Sequence, residues 1–359
     1  MAIEFNTRIR GIPSYPAADG YALGEHVALL ASNESPELPL PEVVEAAQRA
    51  AAGANRYPDP SASLLRARLG DRYGVPTSRI ALGNGSCDIL LAAGQALLEP
   101  GAELIYAWPS FSMYPQLAAA SGSRAITVPV NERHEHDLDA MLAEITAATR
   151  LVIVCNPNNP TSTALPFAQI KAFVEQVPSH IAVILDEAYC EYSTLDDPDT
   201  TLDLLDDHAN LVLLRTFSKV YGLAGLRVGF GLCGSEDFVA AVNQVRQPFF
   251  VNVAAQAAAV EALRHGDAVA ERVERAVVAR LHIEEGLARL GMQVADSQAN
   301  FVWFDLPEGA DEPEIIRGLR ERDIIVRSGA ALGRAGALRV SFGPQGHNQR
   351  FLDVLQELL

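Results

Sequence analysis

Three short, wholly apolar runs, 151–155 (LVIVC), 181–185 (IAVIL) and 211–214 (LVLL), constrain the fold of this chain more than any other feature. Each has the length of a strand rather than of a helix, and each is separated from the next by polar turns and helix-length segments. A strand that is apolar at every position has both faces covered, which is the signature of a parallel sheet between helices. The surrounding pattern agrees. Strands are predicted over 80–82, 103–108 and 125–130, and helices over 43–52, 63–73, 88–98, 111–120, 138–145 and 167–176. Ser86 is the expected N-cap of the 88–98 helix. Alternation of this kind from about residue 62 to 233 defines an α/β chain with a mostly parallel sheet.

After about Pro248 the style changes. Alanine-rich, charge-studded helices are predicted over 254–263 and 268–290. Strands at 301–304, 324–326 and 339–342, with a helix at 314–320, follow as a smaller α+β unit. Before residue 37 the chain has little periodicity and several breakers, including Pro13, Pro16, Gly20, Gly24 and Pro36. The expected division is an arm over 1–36 that packs on the small domain and the site, a large domain over 37–250, and a small domain over 251–359.

Polar residues recur where the predicted strands stop: Gly85-Ser86, Asn156, Asp186 with Tyr189, and Ser218-Lys219. In a parallel sheet these ends share the carboxyl edge, where such folds bind ligands. The run past residue 214 is the densest. Thr216, Ser218 and Lys219 are followed by Gly222, Gly225, Arg227 and Gly229. Two hydroxyls, a guanidinium and glycines that let backbone approach closely describe an anion site with an amine beside it.

Composition removes several classes. A formal charge of −17 over 359 residues disfavours nucleic acid, which attracts basic surfaces. No apolar stretch approaches the ~20 residues that span a bilayer, and no signal peptide is read at the N-terminus. Cys87, Cys155, Cys190 and Cys233 form no C-x-x-C pair. They read as reduced residues of a cytoplasmic protein. His134 and His136 lie in a polar turn without partner cysteines, so no metal site is expected.

Ser218-Lys219 together with Gly225-Leu226-Arg227-Val228-Gly229 resembles the lysine signature of pyridoxal-phosphate (PLP) aminotransferases of fold type I. The resemblance extends from Tyr15 to Phe342. It implies that Lys219 forms a Schiff base with the cofactor aldehyde, which requires an amine able to lose its proton. Asp186 matches the aspartate that holds the proton on the pyridine nitrogen, and Tyr189 and Asn156 match the donors to the cofactor's phenolic oxygen. Gly85, Ser86, Ser218 and Arg227 match the phosphate cup, and Phe111 the aromatic that stacks on the ring. The chain is most similar to the histidinol-phosphate aminotransferase group, with its actinobacterial aromatic (phenylalanine) aminotransferase relatives. The narrower match rests on Asn33-Glu34, Asn55-Arg56-Tyr57-Pro58-Asp59, Ser110-Phe111-Ser112-Met113-Tyr114, CNPNNPTST and Gln298-Ala299-Asn300-Phe301. Gly85-Ser86-Cys87-Asp88, NPNNPTS and NESP depart from the group's usual GSDE, NPNNPTG and NENP.

In that group Tyr57 reaches the cofactor phosphate of the neighbouring subunit, which implies a homodimer with shared sites. Arg327 and Arg339 match the arginines on the substrate's anionic group. Tyr15 matches a pocket tyrosine, and Asn33 also falls among the substrate residues. The implied reaction is transamination between a small amino donor and a 2-oxo acid, with histidinol phosphate and 2-oxoglutarate as the first expected pair. An aromatic amino acid such as phenylalanine is the alternative donor. A threonine-phosphate decarboxylase and a non-catalytic PLP-binding protein are the other readings. The intact set of Asp186, Tyr189, Lys219 and Arg227 argues against the last, because binding alone does not require that electronic tuning.

Overall fold

The structure is a computed structural model that describes residues 3–12, 24 and 26–359. The first strand, β1 (Ala28–Leu29), belongs to the N-terminal segment. The three apolar runs lie inside a seven-stranded sheet made of β2 (Ile80–Gly83), β3 (Glu103–Trp108), β4 (Arg124–Pro129), β5 (Thr149–Cys155), β6 (Ala182–Asp186), β7 (Leu211–Thr216) and β8 (Gly229–Cys233). Their order is β2-β8-β7-β6-β5-β3-β4. Only β8 runs antiparallel to its neighbours; the other pairs are parallel. This is the α/β sheet that the alternation predicts.

Both β6 and β7 are buried at every position. β7 runs past the apolar stretch because Arg215, buried within it, is paired: its guanidinium donates to Glu187 Oε2 at 2.8 Å and to Asp199 Oδ1 at 2.7 Å. Burial of an arginine costs stability unless its donors are satisfied, and here they are. β8 lacks a strand signal of its own, since GFGLC has two glycines. It is held by pairing on both edges, between β7 and β2.

The helix predicted over 88–98 begins at Ser86 and ends at Leu97. Gly85 is its N-cap, and no side chain caps it. The expectation that Ser86 caps this helix is therefore corrected: Ser86 is already in the first turn, where its N–H is one of the free donors. The helix predicted from residue 111 starts at Tyr114, which leaves 109–113 as a loop at the end of β3. Among the described residues, two α-helices carry no sequence expectation: Glu236–Val245, capped by Ser235 Oγ, and Gln345–Leu358.

The smaller sheet contains β9 (Gln293–Val294) and β10 (Phe301–Asp305). β11 (Ile324–Ile325) pairs in parallel with β1, so the N-terminal segment joins the smaller unit. β12 (Arg327–Ser328) and β13 (Ala337–Ser341) complete the antiparallel order β12-β13-β10-β9. Val302, Phe304, Leu338 and Val340 form its core with Ile283 and Leu287 of the helix Gly266–Arg289 and Phe351 and Leu355 of the C-terminal helix. The helix Val253–Ala262 does not belong there. A division at 250 puts it in the smaller unit, but Ala255, Ala258 and Ala259 pack with Val43 and Leu65 in the core of the large sheet. Its small side chains let it lie close against the helix Pro41–Ala51, which turns a composition expected of a connector into a core contact.

Candidate active site

The carboxyl ends of β5, β6 and β7 open onto a cavity of about 460 Å³ that also receives residues of β12, β13 and the N-terminal segment. Lys219, just beyond β7, projects into it. Its Nζ donates to the carbonyls of Ser32 at 3.3 Å and Asn33 at 3.1 Å, and lies 5.4 Å from the Tyr189 ring centre. Burial lowers the amine's pKa to about 8; the Arg339 guanidinium adds to this, and Arg227 to a lesser extent. Those are the two influences that favour a neutral amine.

Asp186, the last residue of β6, is buried, and burial raises its carboxyl to about 6. Two hydrogen bonds pull the other way. Tyr114 Oη donates to Oδ2 at 2.9 Å, and the Ala188 N–H to Oδ1 at 3.3 Å. Tyr189 stands edge-on to Phe301, with ring centres 5.0 Å apart. Burial pushes its hydroxyl pKa up, so it stays protonated. That hydroxyl accepts from Asn33 Nδ2 at 3.0 Å. Asn33 has φ +54, and its Oδ1 accepts from Ser341 Oγ at 2.9 Å, which ties the N-terminal segment to β13.

The anion end of the cavity is formed by Ser86, Ser218 and Arg227. Ser86 opens a helix of 12 residues, whose free N–H groups face an anion favourably. Gly85 has φ +83, and a Cβ there would sit 2.5 Å from Arg227 Nη2. Glycine is thus required both by the turn and by the close approach of the guanidinium. Phe111 lines the cavity, its ring perpendicular to that of Tyr114 with 5.7 Å between centres. Arg327 and Arg339 face each other across β12 and β13, and both line the cavity. Arg339 donates to Asn159 Oδ1 and to the Ala31 carbonyl.

Asn156 is not brought in. Its amide is engaged at both ends by one residue: Nδ2 donates to the Leu165 carbonyl at 3.0 Å, and Oδ1 accepts the Leu165 N–H at 2.7 Å. It ties the loop after β5 to the chain nine residues on. The asparagine of NPNNP that lines the cavity is Asn159. The motif offers three asparagines, and only the path of the loop distinguishes them. Tyr57 is also outside the cavity of its own chain. It is 80% exposed and stacks on Phe249, with ring centres 4.4 Å apart. Tyr15 lies outside the described residues. Besides Asn159, the sequence assigned no role to Tyr114, although it falls in the Ser110-Phe111-Ser112-Met113-Tyr114 stretch that carries the narrower match.

An amine with a lowered pKa, a buried carboxylate 33 positions before it, and an anion end built from a helix start and a guanidinium fit PLP, the group that the resemblance implies. Fold and site together define a fold type I pyridoxal-phosphate enzyme. Residues 25–355 match the family described as aminotransferase class I and II, and the chain belongs to that family. It is 41% identical over 355 residues to an aromatic amino acid aminotransferase of Streptomyces coelicolor, covering 99% of this chain and 97% of that protein. With an aromatic amino acid aminotransferase of Thermobifida fusca it shares 45% over 329 residues, 91% and 89% of the two chains. A histidinol-phosphate aminotransferase of Moorella thermoacetica is 40% identical over 334 residues, 93% and 86% of the two. Among solved structures, the histidinol-phosphate aminotransferase of Sinorhizobium meliloti in complex with pyridoxal-5'-phosphate superposes with a TM-score of 0.88 at 28% identity, covering 100% of this chain and 98% of that one.

Proposed function

We infer that this PLP-dependent aminotransferase moves the amino group of an aromatic amino acid to a 2-oxo acid such as 2-oxoglutarate. The observation that carries the choice of donor is the pair of aromatic amino acid aminotransferases at 41% and 45% identity, against 40% for the histidinol-phosphate enzyme. This reverses the order expected from the motifs, which put histidinol phosphate first. The cavity wall supports the reading. Leu332 offers apolar surface for a flat ring, Phe111 being taken by the cofactor ring, and Arg339 offers a fork for one carboxylate.

When bound, the cofactor supplies an electron sink for the bonds of the donor's α-carbon. The chain's own groups do the rest. Asp186 holds positive charge at the ring nitrogen. Tyr189 and Asn159 are offered as the donors at the phenolic oxygen, with Asn159 taking the role that the motif match gave to Asn156. Lys219 Nζ would take a proton from the donor's α-carbon as a base and give it up again as an acid. Arg339 orients the carboxylate so that the α-hydrogen faces Lys219. The reading includes a homodimer, in which exposed Tyr57 completes the anion end of its neighbour's cavity.

The test is steady-state kinetics with phenylalanine, tyrosine and histidinol phosphate as donors and 2-oxoglutarate as acceptor. We expect kcat/KM for phenylalanine to exceed that for histidinol phosphate by about tenfold or more, the scale on which pocket shape discriminates. A preference for histidinol phosphate would restore the motif-based order. Carbon dioxide release from phosphothreonine would indicate the decarboxylase instead.

A further inference from the structure

Arg327 and Arg339, opposite one another on β12 and β13, are joined by the turn 329–336. At its tip the turn places Leu332 in the cavity wall, buried with Ala295, Trp303 and Ala337. Gly333, with φ +102, follows and lies against Trp108 at the end of β3; a Cβ there would sit 2.6 Å from the indole Nε1. Over 330–336 the turn has no strand pairing; it closes on itself through the Leu332 and Arg334 N–H groups, which donate to the Gly329 carbonyl, and through the Gly329 N–H, which donates to Ala337.

Glu312 holds it. This residue is the first of the helix Glu312–Arg320 and is 5% exposed. Its carboxylate spans both legs of the turn. One oxygen accepts from Ser328 Oγ and from the Ala330 N–H at 3.0 Å, and the other from the Gly336 N–H at 2.7 Å. A buried carboxylate with three donors, at a helix start, is satisfied and firmly placed. It does not line the cavity and touches no group that would react.

We propose that Glu312 is a positioning residue for donor selection: by clamping Ser328, Ala330 and Gly336 it fixes Leu332 in the cavity wall that the two arginines also line. The proposal rests on the aminotransferase reading and deepens its account of the substrate side chain. Both acceptors are used, because the Ala330 N–H of one leg donates to one carboxylate oxygen and the Gly336 N–H of the other leg to the second. Glu312→Gln keeps the size but turns one acceptor into an NH₂ group that faces an N–H, so one leg is released. Glu312→Asp keeps both acceptors but withdraws them by one methylene.

The experiment is a double-mutant cycle of Glu312→Gln and Leu332→Ala on the holoenzyme, with rates of the donor half-reaction followed by the cofactor's visible spectrum. Phenylalanine is compared with alanine, whose single methyl does not extend to Leu332. Glu312→Gln should lower kcat/KM for phenylalanine about tenfold, the loss of one apolar contact in a pocket, and change it for alanine by less than about threefold. In the Leu332→Ala background the same substitution should have little further effect on phenylalanine, and Glu312→Asp should fall between wild type and Glu312→Gln. Equal losses with both donors, or additive losses in the cycle, would overturn the proposal and reduce Glu312 to general stability. Should the wild type prefer histidinol phosphate, the proposed donor fails while the cycle is run with that substrate. Coupling there still supports the clamp, and additivity still removes it.

Discussion

Tyr114→Phe removes one oxygen from the interior and nothing else. The lost group donates to Asp186 Oδ2 at 2.9 Å, in a place where both side chains are buried. A hydrogen bond to a charged group contributes about 1.5–3 kcal/mol, and one pKa unit corresponds to about 1.4 kcal/mol. Asp186 should therefore rise by about one to two units from its value of about 6. The sign for stability follows from proton uptake. The unfolded aspartate titrates near about 3.9, so the folded cofactor-free protein binds this proton more tightly than the unfolded chain does. Stability contributed by Asp186 is present at low pH and is lost as pH rises from about 4 to about 6. In Tyr114→Phe that loss continues to about pH 7–8. Urea denaturation of the cofactor-free protein at pH 5 and pH 8 reads it directly. The variant should lose about 1–2 kcal/mol more, relative to wild type, at pH 8 than at pH 5. In the holoenzyme the same change should loosen PLP at pH 8 and move the pH dependence of its visible band. An identical destabilisation at both pH values, with an unmoved band, would show that Tyr114 only fills space and does not act on Asp186.

Lys219 should capture PLP in the cofactor-free protein with a rate that rises with pH and has its midpoint near 8; Arg339→Ala should move that midpoint upward, as stopped-flow absorbance would show. Borohydride should then fix the cofactor's mass on the peptide that contains Lys219, and a label on Lys171 instead would refute the assignment. Arg339→Ala should lower donor kcat/KM by about tenfold to a hundredfold, and Arg339→Lys should recover little of it, because an ammonium lacks the planar fork. Asn159→Ala should shift the visible band of the holoenzyme, whereas Asn156→Ala should act mainly on thermal stability by freeing Leu165 from its loop. Tyr57→Phe and Lys219→Ala, each weak alone, should regain activity toward half of wild type per heterodimer when subunits are exchanged; no recovery after demonstrated exchange would remove Tyr57 from its neighbour's site.

What was legible in the sequence was whatever depends on near neighbours. Runs such as LVIVC and IAVIL declare a strand covered on both faces, and the residue after each run then has to lie at the carboxyl edge. Asp186 and Lys219 could be placed at one edge on that ground, although 33 positions separate them. Tertiary structure decided the rest, because the partners are far apart along the chain. Tyr114 meets Asp186 across 72 residues, and Asn33 meets Tyr189 across 156. No local period records such pairs. The three asparagines of NPNNP are equivalent in composition, and the choice of Asn159 over Asn156 came from which amide the loop backbone had already engaged. The strand GFGLC has no propensity to declare itself, and exists because two neighbours supply its hydrogen bonds. Glu312 reads as one more acidic residue at a helix start. Only the folding of β12 and β13 brings the two legs of a turn to its carboxylate, since a clamp is a property of the distance between segments, and that distance is set by the packing of the whole chain.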